Sequence, residues 1–227
     1  LIMVAMRDVT GDFEKAISLF QKTFQIQGTF LPATNVVARI SIRTKSKEEI
    51  FGEERIDLGK YDWKSGIEKV TLHPKNVRAN TRLIEQLKKA DVIIAGPGDL
   101  YTTLLPVLIV PGVKEALKES RAVKIFVVNA TNKLYETRNY DVFDYIEAVK
   151  NHLGFFPFTK VIVNNNFDAE IPKEHSSQYK YIAFRKGSRI KDDISDKTTF
   201  IEEDLIDSRF PLYHDPLKLA KVIIEQI

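Results

Sequence analysis

The chain contains no cysteine, which excludes disulfides and thiolate metal sites. That absence fits a reducing compartment, and a cytoplasmic location is expected. Charge of one sign is also lacking. The 34 basic side chains are nearly matched by 31 acidic ones, and the basic residues are scattered rather than gathered on one stretch, so no nucleic-acid partner is expected. Long apolar runs are missing as well. The longest, Leu104 to Val110, is interrupted by Pro106 and falls far short of the roughly 20 residues that span a bilayer, so no membrane partner is expected. No secretory leader is visible. His73, His152, His175 and His214 are too dispersed for metal-ligand spacing, and no GxSxG nucleophile elbow occurs. The acidic run Glu202-Glu203-Asp204 reads as a solvated face, so no metal site is expected.

What remains is an ordinary globular composition, 44% hydrophobic and 29% charged over 227 residues, enough to bury one substantial core. The chain opens inside an apolar stretch, Leu1, Ile2, Val4 and Ala5, which reads as a strand entered midway, so further sequence upstream is expected. Thr10 to Phe24 carries Phe13, Ala16, Ile17, Phe20 and Phe24 at helical spacing. Asn35 to Arg43 alternates as a half-exposed strand and pairs with Ile50 to Ile56 across a charged turn. Gly59 to Gly66 reads as a surface loop, followed by a short strand from Lys69 to Leu72.

The second half alternates helices with continuous apolar strands. Helices are read at Asn80 to Ala90, Pro111 to Ser120 and Tyr140 to Leu153, the last closed by Gly154. Buried strands are read at Asp91 to Ala95, Val123 to Val128 and Lys160 to Val163. Gln178 to Ile201 is less regular, and Pro216 to Ile227 closes the chain as a helix capped by Asp215. This order predicts one α/β domain over residues 1–227, Rossmann-like and doubly wound, with a mostly parallel sheet and a small β-hairpin extension.

In such sheets ligands bind beyond the carboxyl ends of the strands. The first such end carries Gly96-Pro97-Gly98, then Asp99, Leu100, Tyr101, Thr102 and Thr103. Two glycines let backbone approach a ligand, and amides at a helix or turn start near Asp99 favour an anion. The same string also fits a tight turn with Asp99 as N-cap; the Tyr-Thr-Thr run tips the balance toward a ligand. The second end carries Asn129 and a polar loop with Glu136, Thr137 and Tyr140. By itself that loop reads as a solvated connection. The third carries Asn164, Asn165 and Asn166, amides that read a base or sugar hydroxyl or simply form a turn.

Together GPGDLYTTLLP, LIVPGVKEAL, VVNATNKLYETRNYD and VIVNNN resemble the gluconeogenesis-factor branch of the 2-phospho-L-lactate transferase family. TGDFEKAI, LPATN and HDPLKLAKVI agree in order along the chain. The resemblance implies a Rossmann-like domain that binds a nucleotide-containing ligand at the sheet edge. In that family the transferases move a phospholactyl group from a guanosine diphosphate carrier onto a deazaflavin. The gluconeogenesis-factor branch binds UDP-sugars and supports cell shape and growth on gluconeogenic carbon sources. The expectation is a UDP-sugar-binding factor, with a magnesium-dependent transferase as the alternative. The nucleotide-diphosphate ligand is expected to meet Gly96, Pro97, Gly98, Asp99, Leu100, Tyr101, Thr102, Thr103, Asn129, Glu136, Thr137, Tyr140, Asn164 and Asn165, and no catalytic residue is assigned. A homodimer is expected. The chain departs from the family pattern at Leu134-Tyr135, where relatives carry Pro-Gly, and the family's glycine-rich segment and acidic magnesium ligands are expected upstream of Leu1.

Overall fold

The computed structural model describes residues 1–184 and 198–227. Helix α1, Ile2–Thr10, stands where a strand is expected from the sequence. A short apolar run suits either element. Here Met3, Met6 and Thr10, at helical spacing, are the partly covered positions, and α1 lies against α2, Phe13–Thr23. The α2 N-terminus is fixed by Asp12, whose carboxylate accepts from the Lys15 amide at 2.8 Å.

A three-stranded antiparallel unit follows, built from β1 (Arg39–Thr44), β2 (Glu49–Phe51) and β3 (Ile67–His73), with β1 in the middle. Its second strand is shorter than the alternation suggests. Gly52, at φ 92°, turns the chain out of β2, and the next residues form α3, Glu53–Asp57. The stretch from Gly59 to Gly66 is not a free loop; Tyr61 and Trp63 are half-buried against the main body.

Next come α4 (Thr81–Lys89), β4 (Val92–Ala95), α5 (Leu105–Leu108), α6 (Val113–Glu119), β5 (Val123–Val127), β6 (Thr131–Lys133), α7 (Val142–Leu153), β7 (Lys160–Asn164), β8 (Tyr179–Tyr181), β9 (Thr199–Glu203) and α8 (Pro216–Ile224). Pro111 precedes α6 rather than opening it, because Gly112 takes the N-cap. The strands β4-β5-β7-β9 form a parallel sheet in that order. Its last strand falls at the end of the stretch read as irregular, where TFIEE alternates instead of running apolar; residues 185–197 of that stretch lie outside the described residues. The small pair β6-β8 is antiparallel.

The predicted burial on both faces holds for β5 and β7, whereas β4, at the sheet edge, leaves Ile94 exposed. Phe126 and Val128 point with Val161 and Val163 into the core under α6 and α7. Ile125 and Val127 point the other way, with Ile162, toward Leu205 and Val222 of α8. Helices thus cover both faces of a parallel sheet, the Rossmann-like α/β arrangement. Among the described residues, no single helix is long and apolar enough to cross a membrane.

Candidate functional site

The carboxyl ends of β4 and β5 set the site. Gly96 leaves β4 at φ 92°, and an added Cβ would lie 2.5 Å from the Val127 carbonyl oxygen, so only glycine fits this strand exit. Two residues on, the Gly98 amide donates to Asn129 Oδ1 at 2.8 Å, which ties the β4 exit to the β5 exit. Residues Leu100–Leu104 form one wide turn, in which the Thr103 and Leu104 amides both donate to the Asp99 carbonyl.

The expected ligand residues separate into two layers. Leu100, Tyr101 and Thr102 are buried. The Tyr101 hydroxyl meets that of Tyr140 at 2.7 Å, and the Tyr101 amide and Thr102 hydroxyl both donate to the Glu136 carboxylate, at 3.1 and 2.9 Å. Thr137 accepts from the Lys133 amide and the Tyr145 hydroxyl, both at 3.1 Å. These residues brace the two loops against each other. Thr103 and Asn165 are exposed. Asn164 is buried, and its side chain is spent on local backbone, donating to the Asn166 carbonyl and accepting from the Leu205 amide. It shapes the β7 exit as a turn former.

The open layer is a cleft of about 470 Å³. Pro97, Gly98, Asp99 and Asn129 line one wall; Tyr179, Leu212, Tyr213 and His214 line the other, with Thr131 and Lys133 also facing it. The far wall is fastened to the small sheet. Thr131 Oγ1 donates to the Leu212 carbonyl at 3.2 Å, and the Tyr181 hydroxyl to that of Pro211 at 2.9 Å. A larger cleft, about 680 Å³, is lined by β3, the Ile109–Pro111 segment and the last turn of α7. It contains none of the strand-end residues, so the smaller cleft is the candidate site.

Lys133 is the electrostatic centre. Its ammonium lies 2.9 Å from Asp99, 3.0 Å from Asp57 and 3.5 Å from Glu136. Burial works against its charge, but the bonds to Asp99 and Asp57 outweigh that and raise its pKa. Glu136 has the opposite balance. Burial, then the neighbouring Asp99 carboxylate, push its pKa up to about 7, against the pull of Lys133 and the Thr102 and Tyr101 bonds. The segment after α3 grips the same loop. Asp57 holds Lys133, the Tyr61 hydroxyl donates to the Tyr135 carbonyl, the Tyr135 ring lies over Gly59 and edge-on to Trp63, and the Arg138 guanidinium stands 5.0 Å from the Trp63 ring.

Asp215 caps α8 as expected, and His214 stands just before it, with no metal-ligand spacing to mark it. Yet its ring lines the cleft, and its Nε2 is buried without a hydrogen-bond partner among the described residues. Burial lowers its pKa to about 4. Below pH 6.5 the unfolded chain binds a proton at this imidazole that the folded chain refuses. Stability should therefore fall as pH falls from 6.5 toward 4, by up to about 3 kcal/mol. His214→Gln should flatten that part of the profile of unfolding free energy against pH, and an unchanged slope would assign the loss elsewhere.

Fold and site together define a Rossmann-like α/β protein with a cleft at the carboxyl ends of parallel strands. The chain belongs to the family described as 2-phospho-L-lactate transferase CofD, whose model matches residues 1–206. Within it, the relatives are gluconeogenesis factors. The gluconeogenesis factor of Halalkalibacterium halodurans is 30% identical over 237 residues, covering 99% of this chain and 68% of its own. That of Bacillus subtilis is 31% identical over 179 residues, covering 79% of this chain and 54% of its own. A crystal structure from Bacillus halodurans, of a member of the UPF0052 family, superposes with a TM-score of 0.86 at 27% identity, covering 98% of this chain and 70% of that one.

Proposed function

We propose that the strand-end cleft binds a nucleoside diphosphate sugar of the UDP-sugar class, and that through this ligand the protein takes part in carbon metabolism and cell shape. The observation that carries the reading is the composition of the cleft. Gly98 lines it beside Asp99 and Asn129 at the ends of parallel strands, where such folds receive ligands, and Tyr179 and Tyr213 line the facing wall. An edge without side chain suits a diphosphate, and aromatic faces suit a base or sugar ring. The carbon-metabolism role rests on the gluconeogenesis factors it resembles. A transferase reaction is the second reading, favoured by the family description. Among the described residues, the carboxylates gathered beside the cleft, Asp57, Asp99 and Glu136, already surround the Lys133 ammonium.

Calorimetric titration with UDP-glucose, UDP-N-acetylglucosamine and GDP tests the proposal. Saturable binding of a UDP-sugar is expected, and Gly98→Val should abolish it while the fold persists, since the nearest atoms to an added Cβ are side-chain atoms at 3.4 Å. Absence of binding by all three ligands, or unchanged affinity in Gly98→Val, defeats the reading.

A further inference from the structure

We infer that the Lys133 ammonium takes the place of a divalent cation in this chain, joining Asp57, Asp99 and Glu136 beside the strand-end cleft and closing that position to magnesium and manganese. The inference stands on geometry that is independent of the ligand. The three carboxylates come from three separate elements, the end of α3, the β4 exit and the loop after β6, and their oxygens lie within 4.8 Å of one another. Carboxylates brought this close repel one another unless a cation or a proton lies between them, and here the Lys133 ammonium lies within 3.5 Å of all three. Here the cation is covalent.

An ammonium carries three N–H donors and no acceptor, and Lys133 has one carboxylate for each. Asp99 and Asp57 accept hydrogen bonds at 2.9 and 3.0 Å, and Glu136 closes the shell at 3.5 Å. The stem is fixed at its base, because the Lys133 amide donates to Thr137 Oγ1 and the residue pairs with Tyr179 across β6-β8. The lysine is therefore held in the set rather than resting on it from solvent. A magnesium ion needs oxygens at about 2.0–2.1 Å in octahedral array, so it enters only if the ammonium leaves and the carboxylates draw inward. Metal and lysine exclude each other.

The test is manganese uptake, followed by the electron paramagnetic resonance of the free ion. The 227-residue chain, Lys133→Met and Lys133→Met/Asp99→Asn are compared, with circular dichroism to check folding. Lys133→Met should bind one manganese at least about tenfold more tightly than the parent chain, and the double variant should lose that gain. Should Lys133→Met unfold without metal, Lys133→Gln keeps a donor at the position and serves in its place. Two results overturn the inference: parent uptake as tight as in the variants, or a folded lysine variant that takes up no manganese.

Discussion

Replacing Lys133 by methionine should destabilise the fold by about 3–4 kcal/mol at pH 8.5 and by clearly less at pH 6. The substitution preserves much of the stem's packing and deletes the charge, leaving three carboxylates with no cation between them. Removing one partner of a buried ionic group typically costs about 3–5 kcal/mol. Asp57 and Asp99 are about a third exposed, which screens their share, whereas Glu136 is only 1% exposed and sets the size of the effect. The pH dependence follows from the same residue. Its carboxyl already titrates near 7 with the lysine present, and without it the proton is held more tightly still. At pH 6 Glu136 is then neutral and the repulsion is relieved; above pH 8 the unfolded chain is ionised there while the folded one resists, so the folded state loses ground. Denaturant unfolding of both chains at the two pH values decides the matter, and an equal loss at both would mean that Lys133 contributes packing alone.

Gly96→Ala should be the more disruptive of two similar-looking changes in the Gly-Pro-Gly turn. At Gly96 the added Cβ meets a backbone oxygen at 2.5 Å, and φ of 92° is a conformation that alanine rarely adopts. The oxygen belongs to Val127 at the end of β5, the strand paired in parallel with β4, so relief would require the sheet to open. A cost of about 3 kcal/mol or more is expected. At Gly98 the same methyl meets only side-chain atoms at 3.4 Å, and a change within about 0.5 kcal/mol is expected. Thermal unfolding of the two alanine variants measures the difference. Similar midpoints would remove the steric account of the turn.

The parallel sheet was legible because DVIIA, VKIFVV and KVIV are short apolar runs alternating with helices, although the edge strand β4 leaves Ile94 exposed. Helix ends were legible where their chemistry is local, as at Asp215 and Gly154. The site was only half legible. The glycine turn and Asn129 announce themselves at strand ends, and both line the cleft. The roles of Tyr101, Thr102 and Glu136 were hidden, since a hydroxyl or carboxylate in a polar loop looks the same in sequence whether it meets a ligand or a neighbouring loop. Lys133, Asp57 and His214 were missed for a different reason. Asp57 reaches the site from the antiparallel unit, and His214 from the segment before the last helix. No spacing rule connects such distant positions; only the folded contacts do.

The grip of the α3 segment on the Glu136 loop has an evolutionary corollary. The Tyr135 ring occupies the space that a side chain on Gly59 would need. Glycine at 135 would clear the space beside Gly59, whose φ of 62° still favours glycine, and would leave Trp63 without its edge-on neighbour. A lineage that enlarged residue 59 first would expel Tyr135 from its seat. Glycine at 59 is therefore held twice over, by its backbone angle and by the ring of Tyr135, so a side chain there is expected only where 135 is small and the turn itself has changed.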